Sequence, residues 1–316
     1  MFTFNDFSHK GKEVVLKEQK EITGLDRHVP YLITEYGGHM YPTKRFDQEA
    51  RLVEHALRHA RVQNATELDG RIAGAIGWCA FDYNTHYDFG SGDRICYHGV
   101  MDMFRIPKVA ACFYKSQLAA TALIVLELVT LWTRGENDEG HVTPIVVFTN
   151  CEFIDFYIAG ALMGRYYPDF IGFGGLSNPP IMIADLPVGQ WGFAFETAQF
   201  VGYYDGKEAA RKTYAKNPVA KLLEAAVDDC QLKADGFDAT RVVYRITDQA
   251  GNVVPFINEI IEFELSGQGD IIGPAQTALI GGCMAVWVRS KGVAGEIVLS
   301  ARCTRLAAEN VRIMVR

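Results

Sequence analysis

The chain has 316 residues, 49% of them apolar, so two or three domains with substantial cores are expected. Its formal charge of −7 argues against a nucleic acid or an anionic membrane as partner, since either requires a basic face. The longest apolar run, Leu118 to Leu131, is interrupted by Glu127 and falls short of the roughly 20 residues that span a bilayer.

No basic, apolar, small-residue pattern opens the chain, so no signal peptide is expected. The seven cysteines (Cys79, Cys96, Cys112, Cys151, Cys230, Cys283 and Cys303) are odd in number, widely spread and lack a Cys-x-x-Cys pair. That usage fits reduced thiols in a cytoplasmic protein better than a disulfide framework or a zinc site.

Residues 1–29 mix Phe2, Phe4 and Phe7 with charged residues from Lys10 to Lys20, and read as loop with one short helix. Tyr31-Leu-Ile-Thr34 is a short apolar, β-branched run of the buried-strand type, ending on Glu35 and followed by Tyr36, two glycines and His39. A helix is expected from Phe46 to Asn64, with Leu52, Val53, Ala56, Leu57 and Ala60 on one stripe and Asp47 as its N-cap. In that helix His55 and His59 alternate with Glu54 and Arg58 on what reads as the wet face. Their spacing suits a metal, but no third ligand has the right register.

Ile72–Ala80 is a second buried strand, carrying Trp78 near its end. A polar loop from Asp82 to Gly99 follows, dense in groups that bind hydroxyls: Asp82, Asn84, His86, Asp88, Asp93 and His98. A helix near Pro107–Ser116 comes next. Two β/α repeats imply parallel strands, which need cover on both faces, so residues 1–118 read as a piece of a larger α/β structure.

After Gln117 the texture becomes all-β. Runs at Leu123–Trp132, Ile145–Thr149, Phe153–Ile158, Ile181–Ile183 and Trp191–Val201 lie between turn signals that include Gly135, Asn137, Asn178-Pro-Pro180 and Asp205-Gly206. A second such set begins near Pro218, with runs at Ala220–Val227, Thr240–Thr247, Ile260–Leu265, Met284–Val288 and Glu296–Ala301. Both sets read as β-sandwiches of about 100 residues. Asn258-Glu259 lies on the second and carries no catalytic expectation.

Taken together, Tyr31-Leu-Ile-Thr-Glu-Tyr-Gly-Gly-His-Met40, Ala75-Ile-Gly-Trp-Cys-Ala-Phe-Asp-Tyr-Asn84 and Asp88–Lys108 resemble the C-terminal part of glycoside hydrolase family 2, the β-galactosidase and β-glucuronidase family. Asn150-Cys-Glu152 with Gly160, and Leu232–Asp238 with Asp248–Asn252, are similar to that family's later sandwich domains. The resemblance implies a multidomain α/β plus all-β chain. The last two units of a (β/α)8 barrel (1–118) would precede immunoglobulin-like β-sandwiches at 119–216 and 217–316.

It further implies a retaining β-glycosidase with Glu35 as nucleophile. Tyr36, His39, Trp78, Asp82 and His98 would contact the sugar, and no metal or other cofactor is implied. The substrate would be a β-linked oligosaccharide or glycoside, with galactose the default sugar and β-glucuronide or β-mannoside the alternatives. Cys96-Tyr-His98 stands where glucuronidases carry Asn-x-Lys, which counts against a glucuronide.

The family's acid/base glutamate follows an asparagine upstream of the nucleophile, and no Asn-Glu dipeptide precedes Glu35 here. The chain is therefore expected to be inactive alone, with the missing N-terminal part or a second copy of itself as partner. From a different class, a non-catalytic carbohydrate-binding or structural β-sandwich module is the alternative.

Overall fold

Three parallel strands, β1 (Phe2–Asn5), β2 (Tyr31–Gly37) and β3 (Gly74–Trp78), pair in that order in the computed structural model, which describes every residue except 10, 89, 133–143, 187–195 and 309. β1 corrects the expectation of a loop at the start of the chain. Its Phe2-Thr-Phe-Asn sequence alternates apolar and polar residues, and Phe2, Thr3 and Phe4 pair with Tyr31, Leu32 and Ile33. The parallel strands of this first sheet thus number three, one more than the periodicity showed.

A short helix, α1 (Gln19–Thr23), precedes β2, and α2 (Glu49–Leu68) joins β2 to β3. Gln48 rather than Asp47 is the N-cap of α2, because the Asp47 carboxylate instead accepts the Lys44 N–H. A small hairpin, β4 (Tyr83–Asn84) with β5 (Ile95–Cys96), leads to α3 (Val109–Ser116).

α2 is buried on two sides. Val62 packs beneath the parallel sheet with Tyr31, Ile33, Tyr36 and Ile72, while Ala56 and Ala60 pack against Phe113 of α3 and Phe148. The wet face expected of His55 and His59 is therefore a buried one, with the two residues 4% and 3% exposed.

The following strands are antiparallel. β6 (Leu126–Leu128), β7 (Ile145–Thr149) and β10 (Ile181–Ile183) form one sheet. β8 (Phe153–Ile158), β9 (Ala161–Tyr166), β11 (Ala198–Tyr204) and β12 (Lys207–Tyr214) form another. β7 explains its own continuous apolar sequence. Ile145 and Val147 face the sandwich core with Phe156 and Phe200, while Val146 and Phe148 face the helices. A strand covered on both faces has no polar alternation to show. The turn expected at Gly135 and Asn137, and the start of the strand expected from Trp191, lie outside the described residues.

The remaining strands form a second sandwich. β13 (Leu222–Val227), β15 (Ala239–Thr247), β17 (Gly269–Ile272) and β19 (Cys283–Ser290) make one sheet. β14 (Gln231–Leu232), β16 (Ile260–Gly267), β18 (Gln276–Ala278), β20 (Gly295–Cys303) and β21 (Val311–Val315) make the other. In β21, Val311, Ile313 and Val315 are buried and Arg312 and Met314 exposed, the alternation of a half-covered strand. Tyr244 and Phe263 meet across the two sheets with ring centroids 5.3 Å apart.

The described chain is mostly β-sheet with few helices. It divides into two compact units, Met1–Lys216 and Asn217–Arg316, so the expected boundary at 118/119 falls inside the first. There α2, α3 and β7 share one core. All seven cysteines are free, and no described helix is long and apolar enough to cross a membrane.

Candidate active site

Glu35 lies at a fault in an otherwise regular strand. Phe4 and Asn5 of β1 pair with Ile33 and Glu35, and Ala75 and Gly77 of β3 pair with Ile33 and Tyr36. β2 therefore has one residue more than both neighbours between Ile33 and Tyr36, which is a β-bulge. Bulges are rare in parallel pairs, and where they occur they re-aim a side chain. The consequence is visible in burial: Tyr31, Ile33 and Tyr36 are buried, whereas Thr34 and Glu35 are partly exposed. The Glu35 carbonyl is held by the Asp6 N–H at 2.9 Å, and Thr34 Oγ1 donates to Asn5 Oδ1 at 2.8 Å.

Tyr36 does not share the face of Glu35. It is 1% exposed, and its hydroxyl bonds to Tyr114 at 2.5 Å and to Gln63 of α2 at 2.9 Å. The sugar contact expected of Tyr36 is thus replaced by a buried anchoring role, because the bulge turns Tyr36 to the side of Tyr31 and Ile33. Burial pushes this phenol up to about 12, so it stays protonated.

Beyond Tyr36 the chain turns sharply through Gly37 and Gly38, whose φ values of 84° and 59° suit glycine. A Cβ on Gly38 would stand 3.3 Å from Cδ1 of Trp78, so this turn lies directly against the indole. His39 follows on the exposed side, its ring 5.2 Å from that of Phe7.

Trp78 ends β3 opposite Gly37 and remains 38% exposed. Its indole N–H donates to the Tyr83 hydroxyl at 3.1 Å, and the Tyr83 ring meets that of His98 edge-on at 6.1 Å. Trp78, Tyr83 and His98 thus form a connected row, of which sequence reasoning missed Tyr83. His98 is buried and pushed down to about 4, first by desolvation and then by the charges of His39 and Lys108. At neutral pH it is an uncharged imidazole.

Asp82 is corrected most sharply. Its side chain is 1% exposed, accepts the Lys108 ammonium at 2.6 Å, and takes the Gly99 N–H at 2.9 Å on the same oxygen. Lys108 also donates to the Thr43 carbonyl at 2.6 Å. A shielded carboxylate satisfied in this way braces loops and does not bind a sugar hydroxyl. The sequence signalled Lys108 only as the start of a helix. Among the described residues no group of three or more His, Cys, Asp or Glu is placed to hold a metal ion.

The arrangement is a bulged strand presenting a partly exposed carboxylate two residues before the glycine that pairs with an exposed Trp78, whose indole is joined through Tyr83 to a neutral imidazole, at the ends of parallel strands. β-Sandwich sheets follow it in the chain. Such a carboxylate can act as a nucleophile, and such an indole can hold an apolar sugar face. That is the class of multi-module chain in which a strand-end site is carried ahead of all-β modules.

Residues 223–312 match the family model described as glycoside hydrolase family 2 C-terminal domain 5. The chain is 50% identical over 288 residues to a β-galactosidase of Thermoanaerobacterium thermosulfurigenes, covering 89% of this chain and 40% of that one. It is 35% identical over 127 residues to a β-galactosidase of Rhizobium radiobacter, covering 40% of this chain and 92% of that one. A solved β-glucuronidase structure of the same family superposes with a TM-score of 0.68 at 16% identity, over 95% of this chain and 32% of that one, a likeness of fold. The chain belongs to glycoside hydrolase family 2 and corresponds to its C-terminal portion. It spans about 40% of the length of the Thermoanaerobacterium relative.

Proposed function

We propose that this chain supplies the nucleophile half of a retaining β-glycosidase site, with a β-galactoside as substrate. Residues 1–118 are, on this reading, the closing strands and helices of a (β/α)8 barrel, followed by immunoglobulin-like sandwiches at 119–216 and 217–316. The observation that carries it is the bulge that exposes Glu35 two residues before Gly37, the residue paired with Trp78, at the strand ends where barrel enzymes keep their catalytic groups. Identity of 50% to a β-galactosidase over most of this chain supports the choice of sugar.

In the first step Glu35 attacks the anomeric carbon while a protonated carboxyl, set about 5–5.5 Å away, protonates the leaving oxygen. The glycosyl–oxygen bond breaks and an ester to Glu35 forms. Water, deprotonated by the second carboxylate, then releases the sugar. That second carboxylate belongs, on this reading, to the part of the longer relatives that this chain does not span. Trp78 floors the sugar site and the exposed His39 offers a hydrogen bond to its hydroxyls, while the buried, neutral His98 packs behind Tyr83.

The test is covalent labelling of the full-length enzyme with a 2-deoxy-2-fluoro galactoside, followed by peptide mapping. The ester is expected on Glu35, and labelling is expected to vanish in Glu35→Gln. Landing of the label on another residue overturns the assignment. This chain alone is expected to show negligible turnover of aryl β-galactosides, because the paired carboxylates act as a unit.

A further inference from the structure

Behind β2, on the side away from Glu35, five polar side chains stand in a row within the core. Gln63 Nε2 lies 2.8 Å from the Ala75 carbonyl and 2.9 Å from the Tyr36 hydroxyl. Tyr36 and Tyr114 hydroxyls are 2.5 Å apart, and Tyr114 is 2.8 Å from His59 Nδ1. His59 Nε2 then lies 3.3 Å from His55 Nε2.

Only one direction of donation satisfies the row. A carbonyl can only accept, so the Gln63 amide nitrogen is fixed towards Ala75, and its second hydrogen goes to the Tyr36 oxygen. Tyr36 is buried, so its own proton must go to Tyr114. Tyr114 must then donate to His59 Nδ1. His59 carries its proton on Nε2 and gives it to His55 Nε2, which leaves the His55 proton on Nδ1. The opposite direction strands the Tyr36 proton without an acceptor.

The far end has an unusual terminus. His55 Nδ1 and both ring nitrogens of His9 have no hydrogen-bond partner in the protein, although the residues are only 4% and 2% exposed. Both histidines line a small cavity of about 10 Å³ together with Tyr36, Gly37 and His59. That is the room taken by one water, and the site offers a donor and an acceptor to hold it.

We propose that Gln63, Tyr36, Tyr114, His59 and His55 form one directional hydrogen-bond chain, closed by an internal water between His55 and His9, which fixes the bulge that aims Glu35. The positioning role rests on Glu35 being the nucleophile; the direction of the chain and its water do not. Desolvation, which lowers His9, His55 and His59 alike, keeps all three imidazoles neutral and so keeps the direction single.

Nitrogen NMR of the full chain at neutral pH tests the direction. It is expected to show His59 protonated at Nε2 and His55 at Nδ1; a proton on His59 Nδ1 overturns it. Gln63→Glu supplies a protonated carboxyl that donates to Ala75 but accepts from Tyr36. It is expected to reverse the chain and move the His59 proton to Nδ1, which loss of packing alone would not do. Water-to-protein magnetisation transfer is expected at the His55 and His9 rings, and a dry cavity overturns the closing link.

In the full-length enzyme, Tyr114→Phe is expected to lower kcat at least about 10-fold with KM little changed. An unchanged kcat overturns the positioning role. A wild-type label that misses Glu35 instead overturns the nucleophile reading, while the tautomer results still decide the chain.

Discussion

Asp82 Oδ1 and Lys108 Nζ lie 2.6 Å apart with side chains 1% and 0% exposed, and around this pair three separate loops meet. Thr43 follows the Glu35 strand, Asp82 follows Trp78, and Gly99 follows His98, and all three bond to one another through the pair. Removing one partner leaves a buried charge alone, a loss of roughly 3–5 kcal/mol. Lys108→Met is therefore expected to lower the unfolding free energy measured by urea melts by that amount. Combining it with Asp82→Asn, which removes the stranded charge, is expected to recover a large part. A double variant no more stable than Lys108→Met would show that the pair is not the brace.

Acid should weaken the first unit early. Burial pushes His59 down to about 3 and His98 to about 4, and lowers His9 and His55 as well. Their neighbours reinforce this: Arg51, Arg58, Lys108 and His59 face His55, Arg58 opposes and Asp6 favours a charge on His9, and His39 and Lys108 face His98. Below the unfolded value of about 6.5 the unfolded chain takes up protons that the native state refuses, so stability falls as pH drops from about 6.5. Each such histidine steepens the slope by up to about 1.4 kcal/mol per pH unit.

Glu49, raised to about 7, and Asp82, raised to about 6, act in the opposite sense, because the native state holds protons that the unfolded chain has lost. Four histidines outweigh two carboxyls. Denaturant midpoints measured from pH 7.5 to pH 5 are expected to fall, and a flat profile would mean that these imidazoles are accessible to protons.

Gly99 gives a local test of the same loops. A Cβ there would stand 2.3 Å from backbone atoms of Phe81 and Asp82 and 2.4 Å from the Met101 oxygen. Backbone cannot yield as a side-chain tip can, so Gly99→Ala is expected to cost about 1–3 kcal/mol or more. Gly92→Ala, whose Cβ would meet nothing within 4 Å, is the matched control and is expected to be close to neutral by thermal melting.

The parts of this site that were legible in the sequence are those whose signal is local. Tyr31–Glu35 and Ile72–Trp78 announce themselves as apolar runs ending on a carboxylate and an indole. β1 was not legible because its four residues are mostly exposed and carry no apolar run, only pairing along β2. His55 and His59 misled because Glu54 and Arg58 read as a solvated face. In fact Glu54 pairs with both Arg58 and Arg61, with side chains only 16–26% exposed, on a helix covered on both sides. The Asp82–Lys108 pair joins positions 26 residues apart, and no spacing rule reaches that far. Tyr36 was missed for a non-local reason: plain alternation from buried Tyr31 and Ile33 would turn Glu35 inward and Tyr36 outward, and the bulge that exchanges these adjacent residues shows only in the pairing with β1 and β3.

That adjacency yields the most discriminating prediction. Glu35 is partly exposed, so Glu35→Gln is expected to leave stability within about 0.5 kcal/mol. Tyr36→Phe takes partners from the Gln63 amide and the Tyr114 hydroxyl inside the core, and is expected to cost about 1–3 kcal/mol. In the full-length enzyme the order inverts. Glu35→Gln is expected to abolish formation of the 2-deoxy-2-fluoro glycosyl ester, whereas Tyr36→Phe forms it more slowly and on the same Glu35. Urea melts and peptide mapping on the two variants measure both halves. If Tyr36→Phe lost the label entirely at unchanged stability, Tyr36 would be a sugar-site residue and the two faces of β2 would have to be exchanged.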